Sequence, residues 1–383
     1  MTQISRWRWS RVIVLAGLML AGLAGCQPDK KITDTYTPKE ILIGAVLPQS
    51  GPFGAVGQSA RLGIDYAVAE INKMGGIRGT TIRTIIVDDQ GEPTLSAQRV
   101  NELIDQGHVM AIIGGLLDST AFTAAIQSNR KKVLFLITGA GATGLPEIGP
   151  YVFRNRISYA RNTTMLCEYL FQAENKRNFA VIFPYDDFGA NMAEVFQRRT
   201  RELGGMLLAK ESYAAGSYNF AEAIGIVREA GPQAIFVPCY SSELLGIAQL
   251  AYQQGVRGTL AGIESWTDDG KVSRGLEFLD GAVYTTSFYV DSHDNTVSSF
   301  VSGYKAKYGA TPDRIAAHNA DAVRLIAQCL YAGGFTTESL KEEMSRVKDF
   351  PGITGKTSFN NGRDAEKQIL FLGISGGKIQ KLK

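Results

Sequence analysis

The sequence contains few of the residues that metal centres and catalytic sites need. It has four cysteines and three histidines among 383 residues. The cysteines share no CxxC spacing, which leaves a metal site or a thioredoxin-like site unsupported. The histidines, His108, His293 and His318, are scattered along the chain and form no HExxH motif. We therefore predict that the protein is not an enzyme and binds no metal or cofactor.

An excess of charge of one sign is also lacking. Lysine and arginine total 40 and aspartate and glutamate total 37, for a formal charge of +3. Proteins that bind nucleic acid concentrate basic residues on one surface, so the composition predicts no nucleic-acid partner. The small excess lies in Arg6, Arg8 and Arg11, and removing residues 1–25 leaves a formal charge of zero (+3 minus 3).

The three arginines begin an N-terminal segment that is typical of secretion. Residues 12–23 form an apolar run that is too short to span a membrane comfortably. The run ends in Leu-Ala-Gly-Cys, which resembles the bacterial lipobox and makes Cys26 the predicted lipid anchor. We predict a lipoprotein signal peptide over residues 1–25 and a flexible polar tether over residues 26–39. The alternative is an ordinary signal peptide with a chance cysteine. Either reading predicts an extracytoplasmic protein, and the first predicts a lipid anchor in a bacterial membrane.

From residue 40 onward, short apolar runs alternate with segments of helical period. Runs at 41–47, 82–87, 109–113 and 133–137 are separated by predicted helices, and the alternation restarts at 179–183. Repeated βαβ units with nearly continuous apolar strands predict parallel sheets covered on both faces. The fold class is therefore α/β, with two doubly wound parallel-sheet lobes. Ligands of such folds bind outside the carboxyl ends of the strands, so a cleft between the lobes is the expected binding site.

One glycine-rich segment imitates a cofactor motif. Residues 139–144 read GAGATG, a literal GxGxxG that follows a predicted strand. A dinucleotide site needs a helix to begin there, whereas Pro146, Gly149 and Pro150 follow. We interpret the segment as a loop.

Several motifs together resemble the Leu/Ile/Val-binding type of periplasmic binding protein, the solute receptors of ABC importers. The resemblance runs from about Glu40 to the C-terminus. It is carried by IGAVLPQSGP at residues 43–52, EIN at 70–72, GGIRG at 75–79, and Asp88-Asp89 followed by Pro93. It implies a type I periplasmic binding protein fold with two lobes joined by a hinge.

The resemblance also implies a function and a division of the chain. The N-terminal lobe is expected over residues 40–158 and 288–362, and the C-terminal lobe over residues 159–287 and 363–383. The expected function is a solute-binding lipoprotein that passes a small amino acid, branched-chain or related, to the permease subunits of an ABC transporter. The alternatives are a sensory receptor for an amide, amine or urea-like solute, and a hydrolase or oxidoreductase.

Seven binding residues follow from the resemblance, position by position. Glu264 matches the carboxylate that pairs with a ligand ammonium, and Tyr240 matches a pocket tyrosine. The other expected ligand-binding residues are Val56, Asp118, Ser119, Thr143 and Phe188. Each also has an ordinary structural reading, as a packing, turn or solvated residue. The family's disulfide positions near the cleft are Gly91 and Leu117 here, so that disulfide is not expected.

Asp118 departs from the family pattern, which has serine at this position. An ionised Asp118 would repel a ligand carboxylate. Asp118 either caps the following helix and turns away, with Ser119 taking the serine's role, or it contacts a ligand that lacks a free carboxylate. We favour the capping arrangement.

Overall fold

The structure, a computed structural model, describes residues 38–267 and 275–382. The predicted signal peptide, Cys26 and residues 27–37 of the predicted tether lie outside the described residues. Across the described ranges, no helix combines the length and the apolar character needed to cross a membrane. Cys167, Cys239 and Cys329 are free and buried, as their apolar sequence surroundings indicate.

Residues 40–154 form a sheet of five strands in which all neighbouring pairs are parallel. Its strands are β1 (Glu40–Leu47), β2 (Thr81–Asp88), β3 (Ala111–Gly114), β4 (Leu134–Ile137) and β5 (Val152–Arg154), in the spatial order β2-β1-β3-β4-β5. Every residue of β3 and β4 is buried, as expected for short apolar strands covered on both faces. The intervening helices are α1 (Gly54–Lys73), α2 (Pro93–Asp105) and α3 (Asp118–Arg130).

Residues 159–286 repeat the alternation in a second sheet. Its strands here are β6 (Asn178–Pro184), β7 (Met206–Tyr213), β8 (Ala234–Phe236), β9 (Thr259–Gly262) and β10 (Val283–Thr286). The helices are α4 (Tyr159–Gln172), α5 (Asp187–Glu202), α6 (Ala221–Ala230) and α7 (Ser241–Gln253). The strands from β6 to β10 pair in parallel, in the order β7-β6-β8-β9-β10.

Three further helices return to the first sheet. They are α8 (Asn295–Tyr308), α9 (Arg314–Gly333) and α10 (Thr337–Ser345), and their apolar faces share one core with β1 and α1. The helices α1 and α9 approach closely at Gly63, where an added Cβ would lie 2.1 Å from the carbonyl oxygen of Ala316. Glycine at position 63 therefore permits this contact.

The last strands depart from the predicted purely parallel pattern. A small antiparallel sheet consists of β11 (Phe350–Gly352), β12 (Gly355–Phe359) and β13 (Ala365–Lys367). The second sheet then gains β14 (Leu370–Ser375), antiparallel to β10, and β15 (Lys378–Lys381), antiparallel to β14. The direction of β14 follows from the path of the chain. The chain leaves the second sheet at the end of β10 and re-enters it at the start of β14, so these two neighbouring strands run in opposite directions.

The chain passes between the two main sheets at residues 155–158, 287–294 and 368–369. The predicted fold class, two α/β lobes joined by a hinge, is confirmed. The lobe boundaries proposed from the sequence stay a prediction.

Candidate functional site

The predicted site residues lie at or just after the carboxyl ends of strands. In the first lobe, Asp118 and Ser119 begin α3 after β3, Thr143 follows β4, and Val56 lies in the first turn of α1. In the second lobe, Phe188 opens α5 after β6, while Tyr240 and Glu264 follow β8 and β9. The carboxyl ends of parallel strands meet at one edge of a sheet, which groups these residues lobe by lobe.

Asp118 binds the loop at residues 139–144 of the first lobe, the Gly141 loop. Its Oδ1 accepts hydrogen bonds from the backbone N–H groups of Gly141, at 2.8 Å, and Ala142, at 3.0 Å. The residue at the helix cap is Leu117, in extended conformation, and no side chain caps α3. The capping role expected for Asp118 is therefore wrong, because its carboxylate turns away from the helix and holds the Gly141 loop instead.

Tyr159 packs tightly behind the same loop. Its backbone N–H donates to the carbonyl oxygen of Gly141 at 3.0 Å. An added Cβ at position 141 would lie 2.6–2.7 Å from the Tyr159 ring, so only glycine fits there. Through Asp118 and Tyr159 together, the loop is fixed from both sides.

The other site residues predicted in the first lobe do not contact the Gly141 loop through side-chain hydrogen bonds that the structure shows. Ser119 and Thr143 are exposed, and Val56 is half-buried against the core beneath α1. Gly91 and Leu117 lie side by side, since a Cβ on Gly91 would be 3.2 Å from Leu117 Cδ1. These two positions are adjacent, as the family resemblance implies, and are filled here by non-cysteine residues.

Glu264 lies in a buried charge cluster between the lobes. Its Oε1 accepts from Nη2 of Arg156 and lies 3.8 Å from Nη1 of Arg314, and its Oε2 accepts from Ser287 Oγ at 3.0 Å. The side chains of Glu264 and Arg156 are each 1% exposed, and that of Arg314 is 3% exposed. Two guanidinium groups thus share this one buried carboxylate.

The charges in this cluster hold Glu264 in its ionised form. Burial alone would raise the pKa of Glu264, but Arg156 and Arg314 outweigh burial, so the pKa lies below its usual value. Arg156 also donates to the carbonyl oxygen of Gly139, and its guanidinium carbon lies 4.5 Å from the centre of the Tyr159 ring. Arg156 therefore ties the Gly141 loop of the first lobe to a carboxylate of the second.

His318 completes the cluster from the side of α9. Its Nε2 lies 2.7 Å from Ser287 Oγ, while its Nδ1 is buried and has no hydrogen-bond partner among residues 38–267 and 275–382. Burial, followed by the charges of Lys367, Arg314 and Arg156, holds the pKa of His318 well below its usual value. The imidazole is therefore neutral at physiological pH.

Lys367 lies beneath the cluster, where β13 leads toward β14. Its Nζ donates to Thr354 Oγ1 at 2.5 Å. Asp321 accepts from the backbone N–H groups of Ile353 and Thr354, both at 2.8 Å. Burial lowers the pKa of Lys367 to about 8, although Asp321 and Glu264 act in the opposite direction.

Three aromatic rings form a row from the inter-lobe connection into the second lobe. The ring centres of Tyr159 and Phe188 are 4.9 Å apart, and those of Phe188 and Tyr240 are 5.2 Å apart. Tyr240 is 44% exposed and donates its hydroxyl to Asp186 Oδ2 at 2.9 Å. The structure thus brings Phe188 and Tyr240 together in one aromatic surface.

Asp186 has a structural role at the start of α5. Its Oδ1 accepts from the backbone N–H of Gly189 at 2.8 Å and caps α5. Over residues 38–267 and 275–382, no group of acidic, histidine or cysteine side chains is suited to hold a metal ion.

Sequence reasoning missed Arg156, Tyr159 and Arg314. The first two lie in the connection at residues 155–158 or at the start of α4, a stretch to which no element was assigned. The available signal was the pair Arg154 and Arg156 at the end of a short apolar strand, because buried guanidinium groups require specific partners. Arg154 finds its partner in Asp364, at 2.5 Å.

A separate cavity of about 610 Å³ lies away from these residues, between α1 and α8. Its lining includes Tyr66, Glu70, Ser299, Gly303 and Arg324. None of the site residues predicted from the sequence lines it.

Two α/β lobes with polar and aromatic residues at their strand ends are typical of one class, the two-lobed solute-binding proteins. A substrate-binding protein of a branched-chain amino acid transporter from Streptococcus pneumoniae, solved with isoleucine, superposes with a TM-score of 0.78 and 24% identity, covering 89% of this chain and 98% of that chain. A solute-binding protein of an ABC transporter from R. palustris, solved with benzoate, has a TM-score of 0.78 and 19% identity, covering 90% and 95%.

Sequence comparison identifies the family. The profile of the periplasmic binding protein family matches residues 40–378, so the chain belongs to that family. A Leu/Ile/Val-binding protein homolog 1 from Brucella abortus is 24% identical over 332 residues, which cover 85% of this chain and 87% of that protein. Members of the family are solute-binding proteins and not enzymes, which confirms the prediction that this chain is not an enzyme.

Proposed function

We propose that this protein is the lipid-anchored, extracytoplasmic binding component of an ABC importer. It holds a small amino acid or a related carboxylic acid between its lobes and presents the closed form to the permease subunits. The observation that carries this proposal is the cluster at Arg156 and Glu264, which joins polar groups from both lobes at the carboxyl ends of their strands.

The relatives and structural neighbours support the ligand class. The Brucella abortus relative is named a Leu/Ile/Val-binding protein homolog, and the Streptococcus pneumoniae protein holds isoleucine. The R. palustris protein, of comparable structural similarity, holds benzoate. A carboxylate is common to isoleucine and benzoate, so the proposal for this chain is a small organic acid, with or without an amino group.

The proposed mechanism is closure of the lobes about the connections at residues 155–158, 287–294 and 368–369. The boundaries predicted from the sequence are residues 40–158 and 288–362 for the N-terminal lobe, and residues 159–287 and 363–383 for the C-terminal lobe. In this proposal β13 is counted with the N-terminal lobe, because it pairs with β12. Hinge closure around a ligand is the common motion of such receptors. Asp118, Ser119, Thr143 and Val56 supply the first wall, and Phe188, Tyr240 and Glu264 supply the second.

Ligand screening tests this function directly. The processed protein is purified from cells that export it, stripped of ligand by reversible unfolding, and screened by thermal shift against amino acids, carboxylic acids, amides and polyamines. We expect an acid or amino acid to raise the melting temperature and to contract the small-angle scattering envelope. Turnover of the ligand by a sub-stoichiometric amount of protein would contradict the proposal. Uptake in vesicles with the cognate permease separates transport from sensing.

The anchor is tested separately through Cys26. The parent protein is expected to incorporate a labelled fatty acid and to fractionate with membranes. A Cys26→Ser variant should lose both properties, and Cys167→Ser serves as the control that keeps them. Equal labelling of the Cys26→Ser variant and the parent would contradict lipidation at this residue.

A further inference from the structure

We infer that the cavity between α1 and α8 is a second ligand site, separate from the cleft between the lobes, and that it takes a small zwitterion with an apolar side chain. Its volume of about 610 Å³ lies in the range of pockets that hold small molecules. Its lining comes from α1, α8, α9 and Ile353, which share the core of the first lobe. The inference therefore goes beyond the proposed function and does not depend on the ligand of the cleft.

The inner wall of the cavity is apolar. Four of its lining residues are buried and belong to the core beneath α1: Ala67, Phe300, Ala320 and Ile353. Tyr66 forms one side, with its ring edge-on to that of Phe300 at a centre-to-centre distance of 5.3 Å. An added Cβ at Gly303 would lie 2.2 Å from the Tyr66 hydroxyl oxygen, so glycine permits the ring to lie here. An aliphatic side chain on this wall would be removed from water, which favours binding.

Two opposite charges line the same cavity, Glu70 of α1 and Arg324 of α9. Burial raises the pKa of Tyr66, Glu70 raises it further and Arg324 lowers it, so both charges act on one hydroxyl group. Glu70 nevertheless forms no ion pair with Arg324 or with any other residue that the structure describes. The Tyr66 hydroxyl likewise has no hydrogen-bond partner within the described ranges. A ligand that carries both charges would bridge the gap between these side chains.

Arg324 is held in place by the protein and still has donors to offer. Its Nη1 donates to Asp321 Oδ1 at 3.1 Å, and its Nη2 donates to the carbonyl oxygen of Pro351 at 3.3 Å. Its guanidinium carbon lies 5.4 Å from the centre of the Phe350 ring. A guanidinium has five N–H groups, so about three remain after these two bonds. Asp321 already pairs with the charge of Arg324, and a ligand carboxylate would accept from the remaining N–H groups.

The first turn of α8 is a less suitable place for the ligand carboxylate. Thr296 lines the cavity there, but the backbone N–H groups of Thr296 and Val297 already donate to Asp294 Oδ1, at 2.8 and 3.2 Å. Asp294 therefore occupies these donors and adds a negative charge of its own. The carboxylate is expected at Arg324, the ammonium at Glu70 and the apolar side chain on the inner wall.

Methyl NMR of the processed protein, labelled at isoleucine, distinguishes the cavity from the cleft. Ile71 and Ile353 line the cavity, whereas Ile263 directly precedes Glu264. The probes are leucine, 4-methylpentanoate, which lacks its ammonium, and 3-methylbutylamine, which lacks its carboxylate. We expect leucine to shift the Ile71 and Ile353 signals in a saturable manner. Each of the other two should bind there about fivefold more weakly, as the loss of one partly exposed ion pair predicts.

A variant pair tests the location. Ser302 and Ser298 are both exposed serines of α8, and each hydroxyl donates to the carbonyl oxygen three residues earlier. Of the two, Ser302 lines the cavity. Ser302→Trp should abolish the leucine shifts at Ile71 and Ile353, and Ser298→Trp should keep them. Equal shifts in both variants would overturn the assigned site. If Ser302→Trp does not fold, the comparison of the three probes on the parent protein decides.

The outcomes separate this inference from the proposed function. Absence of leucine shifts at Ile71 and Ile353 would overturn the inference, and a shift at Ile263 in the same titration would leave the proposed function intact. Shifts at Ile71 and Ile353, with none at Ile263 from any amino acid or carboxylic acid, would support the inference and count against the proposed function. Binding of 4-methylpentanoate or 3-methylbutylamine in the cavity as tightly as leucine would overturn the assignment of a zwitterion.

Discussion

Arg156 and Glu264 form an ion pair between residues 108 positions apart in the chain, and each side chain is 1% exposed. Arg156 comes from the first connection between the lobes and Glu264 from the end of β9. The pair therefore bears on stability as well as on binding, because a buried charge that loses its partner is costly.

The first prediction concerns removal of the negative charge from this pair. Glu264→Gln leaves Arg156 without its ion-pair partner, and breaking a buried pair in this way costs about 3–5 kcal/mol. We expect the free energy of unfolding of the ligand-free protein to fall by that amount in urea titrations. Glu102→Gln, which breaks the exposed pair with Arg99, is the control and should change stability by less than about 1 kcal/mol. Equal effects of the two variants would show that the buried pair contributes little.

The second prediction concerns Asp118 and the Gly141 loop. Asp118→Ala removes the acceptor of two backbone N–H groups, and a hydrogen bond to a charged group is worth about 1.5–3 kcal/mol. We expect a loss of stability of that size and faster amide exchange at Gly141 and Ala142. Ser119→Ala alters the adjacent exposed residue and should stay within about 0.5 kcal/mol of the parent. Unchanged exchange in Asp118→Ala would contradict the loop contact.

The third prediction uses two glycines inside helices. Gly63→Ala places a Cβ 2.1 Å from the carbonyl oxygen of Ala316, so α1 and α9 must move apart, and overpacking of this kind costs about 1–3 kcal/mol. Gly225→Ala in α6 meets no atom within 4 Å and should stabilise the protein by about 0.5–1 kcal/mol through helix propensity. Thermal unfolding of both variants checks the opposite signs. A stabilising Gly63→Ala would mean that the two helices separate without cost.

The fourth prediction is a pH dependence from Lys367. Its pKa falls from 10.5 in the unfolded chain to about 8 in the folded protein, mainly through burial. Below pH 8 both states carry the charge and the full cost of burying it is present. Between pH 8 and 10.5 the unfolded state holds more protons, so stability rises with pH and the cost disappears. Lys367→Met should therefore stabilise the protein at pH 7 by up to about 3 kcal/mol, since each unit between pKa 10.5 and about 8 corresponds to about 1.4 kcal/mol.

The measurement for Lys367 compares the free energy of unfolding of the parent and of the variant as a function of pH. Urea titrations at pH 7, 8, 9 and 10 give the unfolding free energies of the parent and of Lys367→Met. The advantage of the variant should shrink steadily above pH 8. Lys378→Met, at an exposed position in β15, should show a constant small difference over the same range. A constant advantage for Lys367→Met would mean that the lysine keeps its ordinary pKa.

Most of the regular architecture could be predicted because it follows local periodicity. The apolar runs at 41–47 and 133–137 became β1 and β4, and the helix predicted between the first two runs became α1. The strands β11 to β13 were missed because they are three to five residues long and largely polar, so neither hydrophobicity nor alternation marks them. Their pairing depends on neighbours in the folded chain.

The location of the site at the ends of strands could be predicted from the sequence. The pairing of its charged residues could not. Glu264 lies after β9, where a binding residue is expected, but its partner Arg156 lies 108 residues away, and no spacing rule links the two. The same holds for Asp118, whose hydrogen bonds go to backbone groups 23 and 24 residues away. Charge pairing across the lobes depends on three-dimensional packing, which a pattern along one chain does not contain.

The close contact between α1 and α9 also constrains the order in which the protein folds. Ser59 in α1 donates to Asp313 at the start of α9, and the two residues are 254 positions apart. The core beneath β1 therefore cannot close until the chain beyond Asp313 is present, and such distant pairings make folding slow. During synthesis the apolar face of α1 remains uncovered for most of the chain's length. The first lobe is therefore complete only after most of the second lobe has been synthesised.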